Sequence, residues 1–200
     1  MRIHKRIVLK NEGRKGIDIC ALAISPDSKK IAVFDENNSS VSLIDIDSNK
    51  KIDIKEASYS VPVFYDFGNK MAFISENQKG IIFVDSHNGK IEKKISDIGV
   101  ELESIAFNSN GDLMITNDYE VGLYIWDIKE NAKQLFPILL ESRPEAVYFS
   151  ADDKEIYVIR PLSKMEVFSF PPLQQLINKT RERFKNRPLT HEERLRYYLE

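Results

Sequence analysis

Four stretches of this 200-residue chain repeat one pattern. The first three read ICALAISPDSKKIAVFDENNSSVSLIDIDSNKKIDI, VPVFYDFGNKMAFISENQKGIIFVDSHNGKIEKKI and LESIAFNSNGDLMITNDYEVGLYIWDIKENAKQLF. A shorter fourth reads PEAVYFSADDKEIYVIRPLSKMEVFSF. Aligned on the turn after their first strand, at residues 25, 65, 108 and 150, they are spaced by 40, 43 and 42 residues. A unit of that size, built of short strands, cannot bury its apolar face alone and must stack on its neighbours.

Within each unit, runs of four to seven residues rich in Val, Ile, Phe and Tyr alternate with turn residues. In the first unit these runs are CALAIS, KIAVF, SVSLID and KKIDI. Such near-continuous apolar runs suit sheets covered on both faces. The turns SPDS, DFGN, NSNG and SADD join the first strand to the second, with Gly68 and Gly111 at matching places. A β-sandwich would have to match four turns by coincidence. The expected fold is therefore all-β, a β-propeller of about four blades.

One further strand, HKRIVLK, precedes the first repeat, and the fourth repeat has three strands before Pro171-Pro172 stops it. One strand, three sets of four and a final three make sixteen. That is the count of a small closed ring whose last blade is completed by the N-terminal strand, leaving no free edge. An open arc of a larger ring is the alternative, and four blades are few for a ring of this kind. The blades are placed at 1–170 and a helical tail at 171–200.

The stretch DIDSNKKIDIKE imitates a calcium loop, with Asp45, Asp47, Asn49, Asp53 and Glu56 at ligand positions. Position 6 is Lys50 where such a loop needs glycine, and alignment with the other repeats makes the stretch a strand end, a turn and a strand. A strand sends alternate side chains to opposite faces and scatters the ligands. It reads as a hairpin.

The repeats resemble degenerate WD repeats. SPDSKKIAVF matches that family's first turn, and YIWDI carries its Trp-Asp end at Trp126-Asp127. The equivalent pairs are Ile44-Asp45, Val84-Asp85 and Phe168-Ser169, and the family's Gly-His pair is missing. The resemblance covers residues 16 to about 170.

In the tail, Leu173, Leu176, Ile177, Thr180 and Phe184 recur at helical spacing until Arg187-Pro188 breaks the pattern. Thr190 and Glu193 then form a capping box for a second helix bearing Leu195, Tyr198 and Leu199. The phrase RPLTHEERLRYYLE, directly after the last repeat, resembles the end of WD-repeat regions in bacterial multidomain signalling proteins. There a propeller follows an effector such as a STAND-type NTPase, a TIR domain or a caspase-like protease. The resemblance implies a sensor region in a larger chain, with blades or an effector domain outside this one. No catalytic motif of those effectors is present, so none of their activities passes to a residue here.

A net charge of −2 gives no general attraction to nucleic acid or anionic membrane. The basic tail reads as the solvated side of an amphipathic helix. The N-terminus has no apolar core of a signal peptide, no apolar run approaches the roughly 20 residues of a membrane helix, and the expected location is the cytoplasm. Cys20, the single cysteine, lies in an apolar run and is expected to pack as a small hydrophobe. His4, His87 and His191 lack ligand-spaced companions, so neither metal nor cofactor is expected. Nucleophile elbows and phosphate-cradling glycine loops are absent. The function read from the sequence is non-catalytic protein–protein recognition, with Tyr119 and Arg160, both in predicted hairpin loops, as interaction residues. The alternative is a small propeller hydrolase or lyase working at the central channel, which would need acids or histidines converging from several blades.

Overall fold

The computed structural model describes residues 19–35, 39–55, 61–129, 133–162 and 164–170. The chain divides into two compact units, Met1–Phe168 and Ser169–Glu200. The strand expected at HKRIVLK and the helix pair expected over 171–200 lie outside the described residues. So does the side chain of Cys20, whose backbone is in the first strand.

Four antiparallel sheets follow one another along the chain. The first holds β1 (Ile19–Ile24), β2 (Lys30–Asp35), β3 (Ser40–Asp45) and β4 (Lys51–Lys55). The second holds β5 (Val63–Tyr65), β6 (Lys70–Ile74), β7 (Ile81–Asp85) and β8 (Ile91–Ile95). The third holds β9 (Leu102–Phe107), β10 (Leu113–Asp118), β11 (Gly122–Asp127) and β12 (Lys133–Leu139). The fourth has three strands among the described residues: β13 (Ala146–Phe149), β14 (Glu155–Arg160) and β15 (Lys164–Ser169). Each sheet is a meander, and its first strand packs against the first strand of the next: β1 on β5, β5 on β9, β9 on β13. This is a blade arrangement.

Strand alternation divides the second sheet between two cores. Met71, Phe73, Ile82 and Val84 pack with Ala32, Phe34, Val41, Leu43 and Ile54 of the first sheet. Their neighbours Ala72, Ile74, Ile81 and Phe83 pack with Leu102, Ile105, Met114 and Trp126 of the third. Both faces are buried, which is why MAFI and IIFV show no polar alternation. The outer strands β4 and β8 are half exposed and carry Lys with Asp or Glu, charges that discourage edge-to-edge pairing.

The turns between first and second strands share one left-handed position, although the second is a short 3-10 turn that also holds Asp66 and Phe67 at positive φ. Ser28, Gly68, Gly111 and Asp153 each lie three residues past the anchor, and all have positive φ (59°, 88°, 69° and 58°). Adjacent turns also touch. A Cβ on Gly111 would stand 3.0 Å from the Asp66 amide nitrogen, and Ser109 N donates to Asp153 Oδ1 at 2.9 Å. Side-chain staples close individual turns. Ser25 and Ser150 each accept the amide five residues on, at 2.9 Å, and Asn108 Oδ1 accepts that of Leu113 at 3.0 Å.

The calcium-like stretch is the β3–β4 hairpin. Asp45 Oδ1 accepts both the amide and the hydroxyl of Ser48 at 2.7 Å, while Asp53, out on β4, pairs with Ser42 and Lys51. Asp85 and Asp127 close the equivalent turns in the same way. Among the described residues no group of three His, Cys, Asp or Glu could hold a metal ion.

Candidate interaction face

One end of the sheets gathers the segments at 75–80, 96–101, 119–121 and 140–145 and the turn after Arg160. These join second to third strands and each sheet to the next. They are stitched together by backbone bonds. Leu102 N donates to Gln78 O at 2.8 Å, Tyr119 N to Glu101 O at 3.1 Å, and Leu140 N to Val121 O at 2.8 Å. A rigid face results.

Asp118, the last residue of β10, organises the hairpin that carries Tyr119. Its Oδ1 accepts the amides of Glu120 (2.9 Å) and Gly122 (2.8 Å), and its Oδ2 accepts the Tyr124 hydroxyl (2.8 Å). A side chain at 122 would run into that carboxylate and hydroxyl, so glycine is required by the close approach. Burial and the Asp118 charge push the Tyr124 phenol up to about 12. With the hairpin fixed, Tyr119 stands 40% exposed.

Arg143 lies over its ring, 4.8 Å from the centroid, a cation–π contact. The guanidinium is aimed by Glu103 of β9, at 2.6 Å from Nη2 and 3.4 Å from Nε. The hydrogen bond from Arg143 to Glu103 raises the arginine pKa still further above its ordinary value. Behind this pair, the fully buried Asn117 donates to Glu103 Oε2 and to the Pro144 carbonyl, both at 3.2 Å, and accepts the Ser104 hydroxyl.

Arg160, at the end of β14, is 5% exposed. Its Nη1 donates to the carbonyl and hydroxyl of Ser142 (2.5 and 2.6 Å), and its Nη2 pairs with Glu166 at 2.5 Å. Tyr119 and Arg160 thus reach the same face in different capacities. Tyr119 forms its surface, whereas Arg160 bolts down the loop whose next residue, Arg143, covers Tyr119. Glu103, Asn117 and Arg143 escaped the sequence reading. The repeat alignment puts Arg143 in a connection between units, a signal that could have found it; nothing local marks Glu103 and Asn117.

Beside Tyr119 opens a cleft of about 350 Å³ lined by Lys79, Gly99, Val100, Glu101, Asp118, Tyr119 and Glu120. Lys79 Nζ lies 3.9 Å from Glu101, leaving three carboxylates to one ammonium. The cleft offers negative charge and an aromatic edge. Among the described residues the one histidine is His87, in the hairpin at the other end of the sheets.

The sequence matches no family profile and no curated protein. Solved structures do resemble it. A chain of a mitotic checkpoint complex superposes with a TM-score of 0.67 at 15% identity, over 78% of this chain and 51% of that one. The Cps50 (Swd1) β-propeller domain of Myceliophthora thermophila gives 0.64 at 12% identity, over 76% and 54%. Hydrazine synthase of Kuenenia stuttgartiensis gives 0.64 at 13%, over 80% and 49%. This chain therefore spans about half the length of each structure it matches. The first two are WD40 β-propellers, and likeness at this identity fixes the fold alone: the described residues form four blades of a β-propeller.

Proposed function

We propose that the chain is a non-catalytic recognition module, a sensor region of a larger bacterial signalling protein, whose binding surface is the face around Tyr119 and Arg143. The observation that carries the reading is the cation–π platform, held by three separate anchors at Glu103, Asn117 and Arg160. Preorganised aromatic and arginine side chains are the residues that dominate interface energetics, because little order remains to be imposed on binding. The adjoining cleft complements a cationic side chain of a partner protein. Hydrazine synthase among the similar structures shows that enzymes also use this architecture, but on the face described here Asp118 and Glu103 are occupied by structural partners. The propeller hydrolase or lyase has no observation in its favour.

A displayed peptide library selected against the chain tests the reading. Lys- or Arg-containing binders are expected, with affinity falling about tenfold or more when Tyr119→Ala and Arg143→Ala are combined. Binders indifferent to those substitutions but sensitive to changes at the opposite end would sink it.

A further inference from the structure

The first two blades carry the same row of charges at the end of the sheets that holds His87. In the first, Lys30 on β2 is the cross-strand partner of Asp45, and the Asp45 amide donates to the Lys50 carbonyl at 2.9 Å. In the second, Lys70, Asp85 and Lys90 repeat those contacts. The second blade balances its row. Between β7 and β8 the register shifts, Phe83 facing Lys93 and Val84 facing Ile91, so that Glu92 is an extra residue. Its carboxylate pairs with Lys70 at 3.1 Å. In the first blade β4 keeps an unbroken register with β3 and supplies no such residue. Among the described residues, neither Lys30 nor Lys50 has a salt bridge.

Where the first blade lacks that carboxylate, a cleft of about 140 Å³ opens between the two blades, its walls including Lys30, Asp45, Ser48, Lys50, Ile52 and His87. Lys30, half-buried, reaches across to neutral acceptors: Nζ donates to Ser86 Oγ at 3.1 Å and to His87 Nδ1 at 3.2 Å. Both acceptors are held from behind. The buried Ser86 hydroxyl donates to the Gly68 carbonyl at 2.5 Å. Since an ammonium only donates, His87 accepts at Nδ1 and donates from Nε2 to Asn69 Oδ1 at 3.2 Å. The third ammonium proton of Lys30 has no acceptor among the described residues. Asp45 is the one carboxylate among the described wall residues, and its Oδ1 is taken by the Ser48 amide and hydroxyl. Removing an ammonium from water without a counter-ion is costly, so an acid group entering the cleft is favoured there. The volume is below that of a drug-sized site and suits one small group. We infer that the cleft binds the carboxylate of a ligand, which does for Lys30 and Lys50 what Glu92 does for Lys70.

Amide NMR of the isotope-labelled intact chain tests this, with sodium acetate and a tetraglutamate peptide as probes. Acetate is expected to shift the amides of Lys50, Ser86 and His87 saturably, with a midpoint below about 50 mM, while sodium chloride of equal ionic strength leaves them in place. Lys30→Met should abolish the shifts. A peptide midpoint about tenfold or more below that of acetate assigns the site to an acidic side chain of a partner, and a similar midpoint assigns it to a free small acid. Shifts with neither probe, or shifts that survive Lys30→Met, overturn the inference. Ile52→Glu gives a second measurement, because Ile52 lies opposite Leu43, two residues from Asp45, and so on the face of Lys30. Its carboxylate should fill the cleft from within, abolishing the acetate shifts, and should cost less stability in the wild type than in a Lys30→Met background. An equal cost in both would mean that Lys30 needs no anion, which also overturns the inference. The Tyr119 and Arg143 face lies at the opposite end of the sheets, and substitutions there leave these outcomes unchanged, so the two readings fail separately.

Discussion

Phe67 is three-quarters exposed and sits between Asp66 and Gly68 in a run of three left-handed residues, φ 50°, 54° and 88°. A bulky side chain there is mostly solvated, on a backbone costing roughly 1–2 kcal/mol. Phe67→Gly is therefore expected to stabilise the chain by about 1 kcal/mol in urea unfolding, the gain reduced by glycine's freedom in the unfolded state. Unchanged or lowered stability would mean the side chain has a partner. At Asp152, hydrogen bonds from the Ser150 hydroxyl and then from Lys154 hold the carboxyl at about 2, against 3.8 ordinarily. A depressed folded pKa contributes stability that is complete above about pH 4 and lost as pH falls through about 2. Carboxyl NMR titration should show that midpoint, and Ser150→Ala should move it back toward 3.8. A midpoint already near 3.8 in the wild type would show that the serine does not hold the turn.

Among elements, the hairpins following β3, β7 and β11 show how a turn imitates a metal site. Oxygen-rich residues recur because carboxylates cap free amides at the strand ends. Asp45→Ala is expected to lower the melting temperature slightly by freeing Ser48 from its acceptor. Adding calcium should leave the melting temperature of wild type and variant unchanged; a rise in the wild type alone would restore the calcium reading. Without the Gly-His pairs of WD repeats, the blades are expected to rest more on apolar packing than on polar staples. In the third blade, Trp126 Nε1 donates to Thr116 Oγ1 at 3.0 Å in the core, so at least this blade joins apolar packing to a buried staple. Adjacent strands β10 and β11 bring the two together, and their ten-residue separation in sequence gives no local sign of the pairing.

For the whole molecule, β-propeller architecture was legible because repetition states the same instruction four times, a turn at each anchor followed by apolar strands, with charged outer strands added in the first two blades. Spacing and alternation are properties of the chain itself, since they follow from the period of a strand and the length of a blade. They determined the fold class, the blade boundaries and the hairpin identity of the calcium-like stretch. Tertiary structure decided what becomes of individual loop side chains. Tyr119 and Arg160 are both aromatic or cationic residues near hairpins, yet one is exposed and the other buried, because Ser142 and Glu166 happen to converge on the second. Likewise Glu103 and Arg143 are 40 residues apart in sequence and 2.6 Å apart in space. Blade stacking sets such distances, and pairings made across blades carry no period that a sequence could display.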